Sequence, residues 1–199
     1  MVQFHPTGLL AGTDTRMTGT VLEEGLRGAG GYLLNGAGER FMSRYHPHGE
    51  RATRDIVSRS IYSEMRAGNT TPNGGIFIEM AHLGPENVSN KFKGMVERCA
   101  DCGFDLAGGR VEVVPTAHYM MGGIRTNANG ASVAGDGAVE TAGGISGLFA
   151  AGQAMGGLFG ANRLGSTSLT EGAVFGARAG RAAAETGRNA APPADDSAF

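Results

Sequence analysis

A chain of 199 residues with 41% apolar and 18% charged side chains has a globular balance, enough for one ordinary domain or two small ones. A net charge of −2 and a sequence pI near 6.2 leave no electrostatic footprint for nucleic acid or an anionic membrane surface, so any anion site must be local. The 35 glycines follow no three-residue period, which excludes collagen and assigns them to turns.

The opening residues Val2-Gln3-Phe4-His5-Pro6-Thr7-Gly8 read as the tail of a strand entering a turn, because Pro6 biases His5 away from helix. So abrupt a start makes Met1 read as an internal position of a longer chain. Residues 53–66 carry Ile56, Val57, Ile61 and Met65 at helical spacing, with Gly68 and Asn69 as the stop and Arg66 favourable at the negative end of the dipole. Ile76-Phe77-Ile78 reads as a short strand after the Asn73-Gly74-Gly75 turn, and residues 87–99 read as a helix. Cys99 and Cys102 form a C-x-x-C pair with no second pair or closely spaced histidines to complete a zinc site, so two reduced thiols near a helix end are expected.

Beyond Pro115 short apolar runs alternate with glycines at 122–124, 138–140 and 147–152, predicting strands and hairpins that lead to a buried strand at Leu148–Ala151. Ser168-Leu169-Thr170-Glu171 fits a capping box opening a helix to about Glu185. Gly172, Gly176 and Gly180 recur every four residues on it, and since each costs ~1 kcal/mol relative to alanine the stripe predicts close packing. Residues 188–199 read as a frayed tail. The apolar runs fall short of the ~20 residues that span a bilayer, no signal segment opens the chain, and no repeat of 20 to 50 residues appears, so the chain reads as soluble and non-repetitive.

Four separated segments combine glycine with His, Arg or Glu: FHPTG at 4–8, EEGLRGAGG at 23–31, PTAHYMMGG at 115–123 and GANRLGSTS at 160–168. Arginine offers a planar fork to carboxylates, histidine can donate a hydrogen bond, and glycine lets a backbone N–H approach an anion. Together they describe an anion pocket. The helix starting at Ser168 adds a positive dipole end suited to a cofactor that becomes anionic on reduction.

In this order, VQFHPTG, RGAGGYLLNGAGERFM, RDIVSRS, PTAHYMMGGI and GLFAAGQ followed by GANRLG resemble the flavoprotein subunit of succinate dehydrogenase and fumarate reductase over residues 2–185. The resemblance implies an α+β fold: a capping domain that closes over substrate at 1–117, the C-terminal part of a Rossmann-like FAD-binding domain at 118–186, and a flexible tail at 187–199. The G-x-G-x-x-G segment that holds the FAD pyrophosphate would precede Met1; Gly28-Ala29-Gly30-Gly31 lacks the strand-to-helix setting to replace it.

By the family's pattern FAD is the cofactor and succinate or fumarate the substrate. His5 and His118 would contact the carboxylates, Thr20 would supply a hydroxyl, and Arg163 would clamp one carboxylate. A hydride passes between flavin N5 and one carbon while Arg54 carries the proton at the other, with Glu24 and Arg27 on its proton route. Free arginine is a very weak acid, so that role depends on the neighbouring carboxylate and positive surroundings. Gln153, Ser168 and Leu169 would contact the cofactor, and no residue is assigned to a metal. Departures from the pattern are Glu23 in place of a threonine, for which Thr18 or Thr20 can substitute, Ala29 and Gln153 in place of glutamates, and Phe159 in place of a histidine. The resemblance further implies membrane anchor subunits and one iron–sulfur subunit for partners, a cytoplasmic place at the inner face of the membrane, and no nucleic acid. L-aspartate oxidase is the nearest rival, which a Glu23 pairing with a substrate ammonium would favour, and a non-catalytic piece lacking the pyrophosphate segment is the alternative of another class.

Overall fold

The computed structural model describes residues 1–12, 16–134 and 144–190, and the chain divides into two units, Val2–Tyr119 and Met120–Phe199 with Met1. The secondary structure is mixed, as an α+β chain requires.

In the first unit β1 (Val2–Leu9), β2 (Tyr32–Leu34), β3 (Ile76–Glu79) and β4 (Arg110–Met120) form one sheet in the order β1-β4-β3-β2. β3 lies antiparallel to both neighbours, with Ile78 opposite Leu33 and Ile76 opposite Val113. The turn expected at Pro6 comes later: β1 continues to Leu9, and the Leu9 N–H then bonds Thr20 O at 2.8 Å. Proline has no N–H to give, and a strand at the sheet edge tolerates it. β4, not expected from the sequence, runs through Pro115, with Val111 and Val113 pairing with β3 and entering the core at 0% exposure.

Around this sheet lie α1 (Gly25–Gly28), α2 (Met42–Tyr45) and α3 (Arg54–Arg66), the last packed on β1. Val57 and Ile61, four residues apart, are the buried stripe of α3, and Gly68 ends it at φ +79° with its N–H on Met65 O. The single helix expected at 87–99 is two, α4 (Pro85–Lys91) and α5 (Lys93–Ala100). Pro85 starts the first one earlier than expected, and Phe92 breaks the run at φ −123°, ψ 36° while its side chain joins the core. Cys99, buried, lies in the last turn of α5 with Cys102 just beyond the helix, and both are free thiols. Burial, with the neighbouring Cys102 adding to it, pushes the Cys99 thiol up to about 12, an inert sulfur.

The second unit pairs β5 (Ile124–Arg125) with β6 (Met155–Gly156) in parallel and ends in the long α6 (Thr167–Asn189). Gly123, at φ +149°, lies against the Ala154 carbonyl so closely that a Cβ would collide with it. Leu148–Ala151 is not a strand: its backbone makes two bonds to the 130–132 turn and one bridge, Phe149 to Ala131, between Gly147 and Gly152 at positive φ. The run at 138–140 and residues 191–199 lie outside the described residues. α6 continues past Glu185 to Asn189 and so absorbs Arg188 from the expected tail.

Two further expectations for α6 are corrected. Ser166, at φ 66°, precedes the helix as its N-cap and gives no side-chain cap bond; the Ser168 hydroxyl instead accepts from Arg163. The glycine stripe is not closely packed: among the described residues a Cβ at Gly172, Gly176 or Gly180 would meet nothing within 4 Å.

Candidate active site

Alternation along β1 buries Gln3 and His5 on one face, at 4% and 1% exposure. The Thr7 N–H donates to His5 Nδ1 at 3.3 Å, so the neutral ring carries its proton on Nε2, a donor suited to a carboxylate. His118, on β4, sets its ring 5.3 Å from that of His5 in a 65° edge arrangement.

Arg54 is the first residue of α3 and is 8% exposed. Its Nη2 and Nε donate to Glu24 Oε2 at 3.0 and 3.2 Å, and its Nη1 donates to Gln3 Oε1 at 3.2 Å. The other Glu24 oxygen accepts from Arg27 Nη2 at 3.0 Å, and Arg27 Nη1 bonds Glu50 O at 2.6 Å. Arg54, Glu24 and Arg27 therefore form one hydrogen-bonded line. Burial pushes the Glu24 carboxyl up, but the bonds and charges of Arg54 and Arg27 outweigh it and hold the group below the ordinary 4.5. Burial lowers the Arg27 value, against the opposing pull of Glu24, which makes its guanidinium a readier proton donor than a free one.

The other candidates of this unit stand differently. Glu23 is exposed. Thr18 is consumed by its own loop, its hydroxyl donating to Gly12 O and accepting the Ala11 N–H. Thr20 is half-buried, with its carbonyl on Leu9. Two participants were not read from the sequence. Gln3 could have been, since it shares the β1 face with His5; Glu50, which accepts from Arg27 through its backbone, left no signal.

In the second unit Arg163 is 8% exposed and donates to Ser168 Oγ at 2.6 Å. Gln153 is exposed, and Leu169 is 78% exposed at the start of α6. A groove of about 550 Å³ in this unit is lined by Leu158, Phe159, Leu164, Val174 and Phe175, with Glu171 among its polar residues.

The chain belongs to the FAD binding domain family, whose model matches residues 1–169. It is 45% identical to a fumarate reductase (CoM/CoB) subunit of Methanothermobacter marburgensis over 92% of its length and 31% of the relative's. Over 96% of its length it is 40% identical to L-aspartate oxidase of Caulobacter vibrioides and 41% to the succinate dehydrogenase flavoprotein subunit of Rickettsia bellii, covering 34% and 32% of those proteins. Among solved structures, the FrdA chain of E. coli quinol fumarate reductase matches at TM-score 0.81 and 36% identity, over 98% of this chain and 33% of that one. The chain thus spans about a third of the length of these relatives.

The family's cofactor is FAD, and the second unit fits part of it. The apolar groove suits a flavin ring, the positive end of α6 suits charge that develops on reduction, and Gln153 presents an exposed amide. No helix among the described residues is long and apolar enough to cross a membrane.

Proposed function

We propose that this chain carries the dicarboxylate-binding part of an FAD-dependent oxidoreductase that interconverts succinate and fumarate. The observation that carries the reading is the hydrogen-bonded line Arg54–Glu24–Arg27, two buried arginines joined by a half-exposed carboxylate and tied through Gln3 to the strand that bears His5. In this reading residues 1–117 are the capping domain and 118–186 the C-terminal part of the FAD domain, whose last helix α6 runs on to Asn189.

When bound, FAD would supply the two-electron chemistry, a hydride exchanged with one substrate carbon. Arg54 gives the proton to the other carbon in fumarate reduction and recovers it in succinate oxidation. Glu24 is ionised at neutral pH and accepts from both arginines, so it can take a proton from Arg27 and pass it to Arg54. His5, His118 and Arg163 hold the two carboxylates by charge-assisted hydrogen bonds, and Thr20 adds a hydroxyl. Gln153, Ser168 and Leu169 hold the cofactor. Membrane anchor subunits, together with an iron–sulfur subunit, would carry electrons onward, placing the protein at the cytoplasmic face of the membrane.

A second reading, L-aspartate oxidation, is favoured by the exposed Glu23, a carboxylate not engaged in the arginine line that can meet a substrate ammonium. The full reading frame that carries this chain, expressed with and without Arg54→Ala, separates the readings by succinate and aspartate turnover. Loss of succinate turnover by about 10²-fold or more supports the first reading. Turnover of aspartate alone establishes the second, and a purified protein without flavin leaves a non-catalytic module.

A further inference from the structure

The outer side of Arg27 faces a second feature of the first unit, a polar cavity of about 340 Å³, within the range of small-molecule sites at roughly 300–1,000 Å³. Arg27, Tyr32, Arg40, His48, Arg51 and His82 line it. Among the described lining residues Glu50 is the one carboxylate, and it is already spent: Arg40 grips its two oxygens at 2.8 and 2.7 Å, and the Leu33 N–H adds a third bond at 3.2 Å.

The cationic side has capacity left. Arg51 is exposed, and its bond to Gly28 O is a long 3.5 Å. Arg27, 2% exposed, has a buried Nε with no hydrogen-bond partner among the described residues. The aromatic floor is fixed: the Tyr32 ring is stacked at 3.9 Å on His82 and lies 4.0 Å from the Arg40 guanidinium. His82 is pinned in turn by Gly30 O at 3.0 Å and Glu79 at 3.1 Å. Three arginines thus line a preformed space: Arg40 is matched by Glu50 and Arg27 by Glu24, and Arg51 adds a cation that no carboxylate matches among the described residues.

We propose that this cavity binds a small dianion, phosphate or a short dicarboxylate, held by Arg51 and Arg40 with Arg27 at its back. Because Arg27 also belongs to the line through Glu24 to Arg54, occupancy would bear on proton transfer; that coupling, unlike binding itself, rests on the proposed function.

The test uses the protein from the full reading frame, with inorganic phosphate as probe at constant ionic strength, followed by phosphorus NMR line width. Saturable binding is expected, weakened about tenfold or more in Arg51→Glu and largely kept in Arg51→Lys, the scale of one charged hydrogen bond. The melting midpoint of Arg51→Glu should match the parent, since the side chain is exposed. A parallel succinate titration against bound phosphate tells which dianion the site prefers. Absence of saturable binding, or equal binding by the parent and Arg51→Glu, overturns the proposal, the latter because phosphate then sits elsewhere, the dicarboxylate site included. Phosphate that binds through Arg51 but leaves fumarate turnover unchanged removes the coupling and keeps the site.

Discussion

Glu24 uses one carboxylate oxygen on Arg54 and the other on Arg27, an arrangement that an amide cannot reproduce because one of its two ends is a donor. Glu24→Gln should therefore lower kcat for succinate or fumarate by about 10²–10⁴-fold, the range of acid–base assistance, while KM changes much less. Steady-state kinetics of the full reading frame checks this, and a rise in KM alone would assign Glu24 to substrate binding instead. At this scale the sequence pointed to residues that the fold brings together, since Glu24 and Arg27 from one motif and Arg54 from another, far along the chain, join in one hydrogen-bonded line. It misled at Ser168, whose hydroxyl could cap α6 or bond an arginine; the nearby Arg163 donates a charged bond, stronger than a neutral cap.

The same competition between local signal and tertiary context shows in whole elements. Residues 87–99 carry a helical pattern throughout, yet burying Phe92 takes its backbone out of the helical region, and a chain cannot announce that in its periodicity. β4 was not expected at all, and Pro115, with no N–H to give, still fits its extended chain. α6 is the sharpest case: its glycines predicted close packing, and here a Cβ added to that stripe would meet nothing within 4 Å among the described residues. In an open helix face glycine is only a cost, so Gly172→Ala, Gly176→Ala and Gly180→Ala should each stabilise this 199-residue chain by up to ~1 kcal/mol, raising its thermal midpoint by circular dichroism. Repeating the triple change in the full reading frame asks what covers the stripe there. Lost FAD or a lowered midpoint would show a close neighbour, and a raised one would show that the face stays open.

Across the molecule, large apolar side chains are buried mostly in the first unit, where Leu26, Leu33, Phe41, Ile61, Ile76 and Ile78 are at 0% exposure; the described second unit buries Met121, Ala150, Met155 and Ala179. Such a distribution follows from the apolar spacing of 53–66 and 76–78, whereas the polar part of the interior left almost no sequence signal. Glu50 and Glu64 sit at 4% and 2% exposure, Glu64 accepting from Arg44 at 2.9 Å, Tyr45 at 2.7 Å and Asn69 at 3.0 Å. Burial pushes both carboxyls up, yet their hydrogen bonds, from Arg40 and Leu33 in one case and from Tyr45, Arg44 and Asn69 in the other, carry them below 4.5. A carboxyl lower in the folded than in the unfolded chain stabilises the fold above the unfolded value and loses that contribution as pH falls through the folded one. The thermal midpoint should accordingly hold between about pH 7 and pH 5 and fall progressively below about pH 4.5. Glu50→Gln and Glu64→Gln should each lower the midpoint at pH 7 and flatten the acid limb, because the variant no longer has that proton to take up. Melting curves across this range decide the matter: variants whose midpoints run parallel to the parent's would show that these two carboxylates do not set its acid sensitivity.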